Sequence, residues 1–271
     1  MELDLYQVDA FAARPFEGNP AAVCPIPDGA DWPSDDVLQG IALENNLSET
    51  AYFQREGDAY RLRWFTPGTE VDLCGHATLA TAWTLFHLLG YEGEAIGFDT
   101  RSGRLTVRRD GDMLAMDFPA TPVEPMIAVP NDLKAALGGD PSTALNGAGG
   151  NGFVMAVYRT AAEVAALKPD MSALAGLSHA AVIATAPGDG SYDGYDFISR
   201  MFAPAKGVPE DPVTGSAHCV LAPYWAGRLG KKALKARQIS ARGGDVGCQV
   251  DGDRVHLTGQ AVLYMTGKIS I

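Results

Sequence analysis

Two kinds of hydrophobic pattern take turns along the chain, short alternating stretches and two long apolar runs. "LDLYQVDAF" (3–11) alternates apolar and polar residues, the period-two signature of a strand with one buried face. "RPFEGNP" (14–20) is a turn cluster, and "AAVCPI" (21–26) reads as a second short strand. Residues 34–44, "SDDVLQGIALE", predict an amphipathic helix with Ser34 as its cap, acids in its first turn, and Val37, Leu38 and Ile41 on one face. "TAYFQ" (50–54) and "YRLRWFTP" (60–67) predict a hairpin pair. A long apolar run from His76 to Leu89 follows and stops at Gly90. Beyond it, "RLTVRRD" and "DMLAMDF" predict two strands joined by a tight turn at Asp110-Gly111.

The second half repeats this plan. "AVIATA" (181–186) and "YDFISRMF" (195–202) take the places of the hairpin strands, and a second apolar run extends from Ser216 to Leu229. "GGDVGCQVDGDRVHLTG" (243–259) mirrors "SGRLTVRRDGDMLAMDF" (102–118). Gly75 and Gly90 are 15 residues apart, as are Gly215 and Gly230. The run starts are offset by 140 residues, and Arg101/Arg242 and Asp112/Asp253 by 141. An ordered series of this kind points to an internal duplication, with a Pro-rich linker, "PATPVEP", between the halves.

Each run is apolar around nearly its whole circumference. In the first, Ala77, Leu79, Ala80, Ala82, Trp83, Leu85, Phe86, Leu88 and Leu89 leave no polar face. Such a helix is either membrane-spanning or enclosed by protein. A bilayer needs roughly 20 apolar residues, so these runs are too short, and strands must enclose them. Each half is therefore expected to be a curved sheet around one central helix, with a kink at Pro223 in the second. His87 is expected to be a core residue.

Composition narrows the function. The chain has 271 residues, 46% hydrophobic and 20% charged, and a formal net charge of −12. That is the balance of a globular protein with no footprint for nucleic acid. The N-terminal residues lack the pattern of a signal peptide. Cys24, Cys74, Cys219 and Cys248 form no C-x-x-C pair and suit reduced thiols better than a disulfide frame. A cytoplasmic location is expected, with no membrane or nucleic-acid partner.

The chemistry gathers where the apolar runs begin. A helix start leaves backbone N–H groups unpaired and carries about half a positive charge. Glycine lets a ligand come close to that backbone. Gly75-His76 and Gly215-Ser216 thus read as two anion cradles, expected to point into one cleft, with plain capping by Thr214 or Ser216 as the alternative. Cys74/His76 and His218/Cys219 lack further ligands at zinc-like spacing, so no metal is expected.

Four ordered segments carry a resemblance: "FEGNPAAV" (16–23), "NLSETAYF" (46–53), "FTPGTEVDLCGHATLA" (65–80) and "EDPVTGSAH" (210–218). Together they resemble the PhzF family of phenazine-biosynthesis-like isomerases over nearly the whole chain. The resemblance implies an α+β fold of the diaminopimelate epimerase type, two similar lobes that are each a barrel-like mixed sheet around a buried helix. The N-terminal lobe would span 1–120 and could take back a last strand at about 262–271. The C-terminal lobe would span 121–261. The resemblance further implies Glu49 as the acid/base that moves a proton on a small, anionic, unsaturated substrate. His76, Asp211 and Ser216 would bind substrate and handle protons, with Asn19 and Pro20 against the same cleft and Gly75 and Gly215 opening the cradles. It implies no cofactor, and a homodimer.

Two other readings stay open. One is a racemase of the diaminopimelate type, using a cysteine at each helix start; Cys74 fits the first position, but Thr214 occupies its partner's. The other is a metabolite-binding protein without turnover.

Overall fold

The computed structural model describes residues 2–147 and 152–271. The chain divides into two compact units, Met1–Asp117 with Thr258–Ile271, and Phe118–Leu257. No described helix is long and apolar enough to cross a membrane.

The first unit is a mixed sheet. Its strands are β1 (Glu2–Ala10), β2 (Asn19–Pro25), β3 (Glu49–Glu56), β4 (Ala59–Phe65), β5 (Glu70–Val71), β6 (Ala95–Thr100), β7 (Gly103–Asp110), β8 (Met113–Pro119) and the chain's last strand, β18 (Ala261–Ser270). Strand β1 pairs antiparallel with both β18 and β2. Strand β2 runs parallel to β3, the β3–β4 hairpin is antiparallel, and β4 runs parallel to β6. The β6–β7 and β7–β8 pairs are antiparallel, and Gly111, at φ +60°, makes the turn between the latter two.

Helix α2 (Gly75–His87) packs against β1, β2, β3, β7 and β18, as its missing polar face requires. Thr78, Thr81 and Thr84 are buried there, and each hydroxyl donates to the carbonyl four residues back, so none of the three is stranded. Helix α1 (Asp35–Asn45) covers the outer face through Leu38, Ile41 and Ala42, packed with Leu3, Leu5, Ile26, Tyr52 and Phe65. With helices on both faces, β2 and β3 are buried almost continuously rather than alternately.

The second unit repeats the order of pairings. It holds β9 (Val123–Pro125), α3 (Asn131–Leu137), β10 (Thr143–Gly147), β11 (Phe153–Val157), α4 (Ala161–Ala165), α5 (Met171–Ala175), β12 (Ala181–Pro187), β13 (Phe197–Ala203), β14 (Val208–Asp211), α6 (Gly215–Leu229), β15 (Ala233–Gln238), β16 (Gly244–Asp251) and β17 (Arg254–Gly259). Strands β9–β10 and β10–β11 are antiparallel, β11–β12 parallel, β12–β13 antiparallel, β13–β15 parallel and β15–β16 antiparallel. The repeat extends to side chains. Arg63 grips Glu70 through two hydrogen bonds of 2.8 Å and lies over Phe65; Arg200 grips Glu210 at 2.7 and 2.9 Å and lies over Phe202.

Several expectations need correction. Ser34 precedes α1 but makes no side-chain cap bond; its carbonyl takes the N–H groups of Val37 and Leu38 instead. Val37 is exposed, since the buried stripe runs through Leu38, Ile41 and Ala42. Leu88, Leu89 and His87 lie past the enclosed part of α2 and are exposed, with His87 stacked on Trp83. The Pro-rich linker contains a strand, β9, where Val123–Pro125 pairs with β10. Residues 131–175 add three short helices over a separate apolar cluster that includes Leu133, Val164 and Ile198.

Helix α6 continues through Pro223. Proline has no N–H for the carbonyl four residues back. That carbonyl, on Cys219, takes the N–H of Thr121 at 3.0 Å instead.

Gly18 sits in the β1–β2 connection at φ +66°, and a Cβ there would lie 2.1 Å from the Ala10 carbonyl oxygen. Gly18→Ala is expected to cost about 2 kcal/mol or more, combining left-handed strain with a backbone collision. Urea unfolding measures it.

Candidate active site

In the first unit, three elements bring Asn19, Glu49, Cys74 and His76 together. Asn19 opens β2, Glu49 opens β3, Cys74 precedes α2 and His76 is its second residue. The parallel β2–β3 register places Ala21 opposite Glu49. Asn19, Cys74 and His76 are buried, and the Glu49 side chain is 17% exposed. Pro20 and Gly75 are half-buried beside them.

His76 is the hub. Its Nε2 lies 3.0 Å from Glu49 Oε2; its Nδ1 lies 3.2 Å from Asn19 Nδ2 and 3.5 Å from Cys74 Sγ. The Glu49 contact is an ion pair rather than an aligned hydrogen bond, because neither Nε2 nor Oε2 has a properly directed partner among the described residues. Buried polar atoms left in that state are uncommon, and a catalytic role is one physical reason for them. Helix α2 also lacks a side-chain cap among the described residues, although the Ala77 N–H faces the Cys74 sulfur.

The donor atoms of Glu49, Cys74 and His76 lie within 4.8 Å of one another. Cys74 meets the ring at Nδ1 and Glu49 meets it at Nε2. These are opposite edges of one imidazole, so a single ion could not use all three in this arrangement.

In the second unit, Asp211 ends β14, and Gly215 and Ser216 open α6. Thr214 precedes that helix without capping it; its hydroxyl donates to Asp211 Oδ2 at 2.5 Å. Gln238, fully buried on β15, accepts from the Thr214 N–H at 2.9 Å and donates to the Asp211 carbonyl at 2.7 Å. Gln238 escapes sequence reading because it lies 24 residues from Thr214 and no motif contains it. Gly215 is buried and Ser216 exposed. His218 donates through Nδ1 to the Thr214 carbonyl at 2.8 Å, as Thr78 donates to the Cys74 carbonyl at 2.6 Å.

The pattern of the family described as phenazine biosynthesis-like protein (PhzC-PhzF) matches residues 8–267. The chain belongs to that family. It is an isomerase. An uncharacterized isomerase of Pseudomonas aeruginosa is 53% identical to this PhzF-family chain over the full length of both. A PhzF-family crystal structure from Enterococcus faecalis superimposes with a TM-score of 0.93 at 43% identity, covering all of both chains. A hydroxyproline epimerase from Agrobacterium vitis shares the fold at TM-score 0.61 and 12% identity, over 99% of this chain and 92% of its own. The family fold is thus the epimerase-like α+β architecture.

The electrostatics of this PhzF-family isomerase divide its two buried histidines. Burial pulls the His76 imidazolium pKa down, but Cys74 and Glu49 pull it up harder, and it lies well above 6.5. Burial and the Glu49 charge push the Cys74 thiol up to about 11. A neutral thiol supplies no charge near pH 7, so Glu49 is the neighbour that holds the proton on His76 there. Burial drives His218 down to about 4 against the opposing pull of its Thr214 hydrogen bond, so it stays neutral.

Two outcomes follow. Glu49→Gln is expected to lower the His76 pKa, read by NMR titration of the ring. For His218, protonation favours the unfolded chain, because the folded pKa of about 4 lies below the ordinary 6.5. Its contribution is whole above 6.5 and is lost as pH falls towards 4, a loss of about 3 kcal/mol for that shift. His218→Gln is expected to flatten that part of the stability–pH curve in urea unfolding.

Proposed function

We propose that this isomerase works without a cofactor and moves one proton on a small, anionic, unsaturated substrate, with Glu49 as general acid and base. The observation that carries this reading is the buried Glu49–His76 contact at 3.0 Å, with no aligned hydrogen bond, beside an uncapped helix start.

The carboxylate of Glu49 would take a proton from one carbon while the C–H electron pair forms a new double bond and the existing one shifts. The same carboxyl would then return its proton to a second carbon, so bonds and electrons balance without an oxidant or reductant. His76 in its charged form would stabilise the negative charge that builds up meanwhile. The start of α2 at Gly75, with no side-chain cap, suits the substrate's carboxylate. Asn19 and Pro20 would help shape this part of the site. Asp211, Gly215 and Ser216 would bind substrate in the roles that the family motif implies. With a net charge of −12, the chain has no general attraction for an anion, so capture would depend on these local fields.

A two-cysteine epimerase is the weaker reading. Cys74 is buried and held protonated, and Thr214, at the corresponding place before α6, has no ionisable group to act as a second base.

The test is incubation with candidate cyclic diene carboxylates in heavy water, following exchange at carbon by NMR. Glu49→Gln is expected to lower exchange by roughly 10²–10⁴-fold. Cys74→Ser is expected to keep it within about tenfold, well short of losing a catalytic base. Unchanged exchange in Glu49→Gln, or loss confined to Cys74→Ser, would reverse the assignment.

A further inference from the structure

Three side chains surround the His76 ring, and what each can offer decides where the ring keeps its protons. The left-handed turn at Gly18 delivers Asn19 to the first position of β2, opposite Ala10 on β1. Strand β2 packs on α2, and the fully buried Asn19 side chain reaches the ring from it. Its Nδ2 stands 3.2 Å from His76 Nδ1, and Cys74 Sγ stands 3.5 Å from the same nitrogen. Glu49 stands at the other nitrogen, with its Oε2 3.0 Å from Nε2.

An amide nitrogen donates hydrogen bonds and does not accept them, whereas a neutral thiol donates weakly and accepts weakly. Nδ1 is therefore approached by two groups that can donate, a position that suits its lone pair and not a hydrogen. The hydrogen bond made at one imidazole nitrogen sets whether the other holds the proton. Nε2, which faces a carboxylate, is the nitrogen favoured on both counts. The other titratable groups on the strands around α2 are committed elsewhere. Asp9, buried on β1, takes the Phe16 N–H at 3.0 Å. Cys24 and Tyr52 belong to the outer cluster with α1, and Tyr6 lies near Asp4 and Lys268. Asp9 and Glu49 apart, the charged side chains of those strands are exposed.

We infer that Asn19 is a positioning residue, which holds the Nδ1 lone pair of His76 as an acceptor and thereby fixes a proton on Nε2, the nitrogen that faces Glu49. This rests on the reading of Glu49 as the proton carrier and adds what keeps its neighbour in the right form. With Nε2 already protonated, His76 cannot take up the proton that Glu49 removes, so Glu49 keeps it for return. The Nε2 N–H has no aligned partner among the described residues, so it is left for the negative charge that develops on the substrate. The second proton of the charged ring, on Nδ1, meets the Cys74 sulfur, a weak acceptor, and is the first to leave.

Nitrogen-15 NMR of the whole protein tests this without a substrate. Above the ring's pKa, wild-type His76 is expected to carry its proton on Nε2. A nitrogen–nitrogen coupling is expected across the hydrogen bond from Asn19 Nδ2 to Nδ1. Asn19→Leu, close in size, removes the donor that favours the neutral ring and is expected to raise the His76 pKa. That direction separates positioning from mere support, because a ring only loosened by the substitution would gain water and fall back towards 6.5. Asn19→Asp, which puts an acceptor at Nδ1, is expected to raise it further. Absence of the coupling, a neutral ring protonated on Nδ1, or an unchanged or lowered pKa in Asn19→Leu would overturn the inference. The wild-type spectrum decides by itself where Asn19→Leu does not fold. Unchanged carbon exchange in Glu49→Gln, with these ring properties intact, would count against Glu49 as proton carrier and leave the placement of the ring proton standing.

Discussion

A helix that is apolar on every side can offer only its ends to chemistry. That constraint organises both units. Helix α2 must be enclosed by β1, β2, β3, β7 and β18, and enclosure brings strand starts to its first turn. Asn19 and Glu49 are each the first residue of such a strand. The site follows from covering a greasy rod with sheet, because the uncovered tip is where polar side chains from neighbouring strands converge.

The clamps below the helix starts show how the tips are held. Burying an arginine and a glutamate is expensive unless the geometry is excellent. Both units accept that cost at the same register, with paired contacts of 2.7–2.9 Å and an aromatic ring under each guanidinium. Glu70 belongs to the short strand that leads into Cys74, and Glu210 to the strand that leads into Thr214. In the first unit, Asp35 and Arg101 join the same network and tie in α1 and the β6–β7 turn. The two halves keep this frame and differ in what they mount on it.

Much of this was legible in the sequence because period and punctuation are local. The hairpin at 50–65, the turn at Gly111 and both buried helices could be read from spacing and glycines. The meeting of His76 with Asn19 and Glu49 was implied by motif resemblance, not by spacing, since 57 residues separate Asn19 from His76. Gln238 and the strand inside the proline-rich segment could not be read, because their partners lie on distant strands. Ser34 and Thr214 misled for one reason. Both are good capping residue types, yet the first caps only through its backbone, and the second spends its hydroxyl on Asp211. Residue type offers a hydrogen bond, but the surroundings decide who accepts it.

The proline within α6 shows how an apparent flaw becomes a fastening. By withholding one amide it leaves the Cys219 carbonyl open, and Thr121 closes it. The following segment, through β9, is laid into the sheet beside β10. What reads as a spacer is therefore stitched into the second unit at both ends, and severing the backbone there would unpick a seam rather than cut a tether.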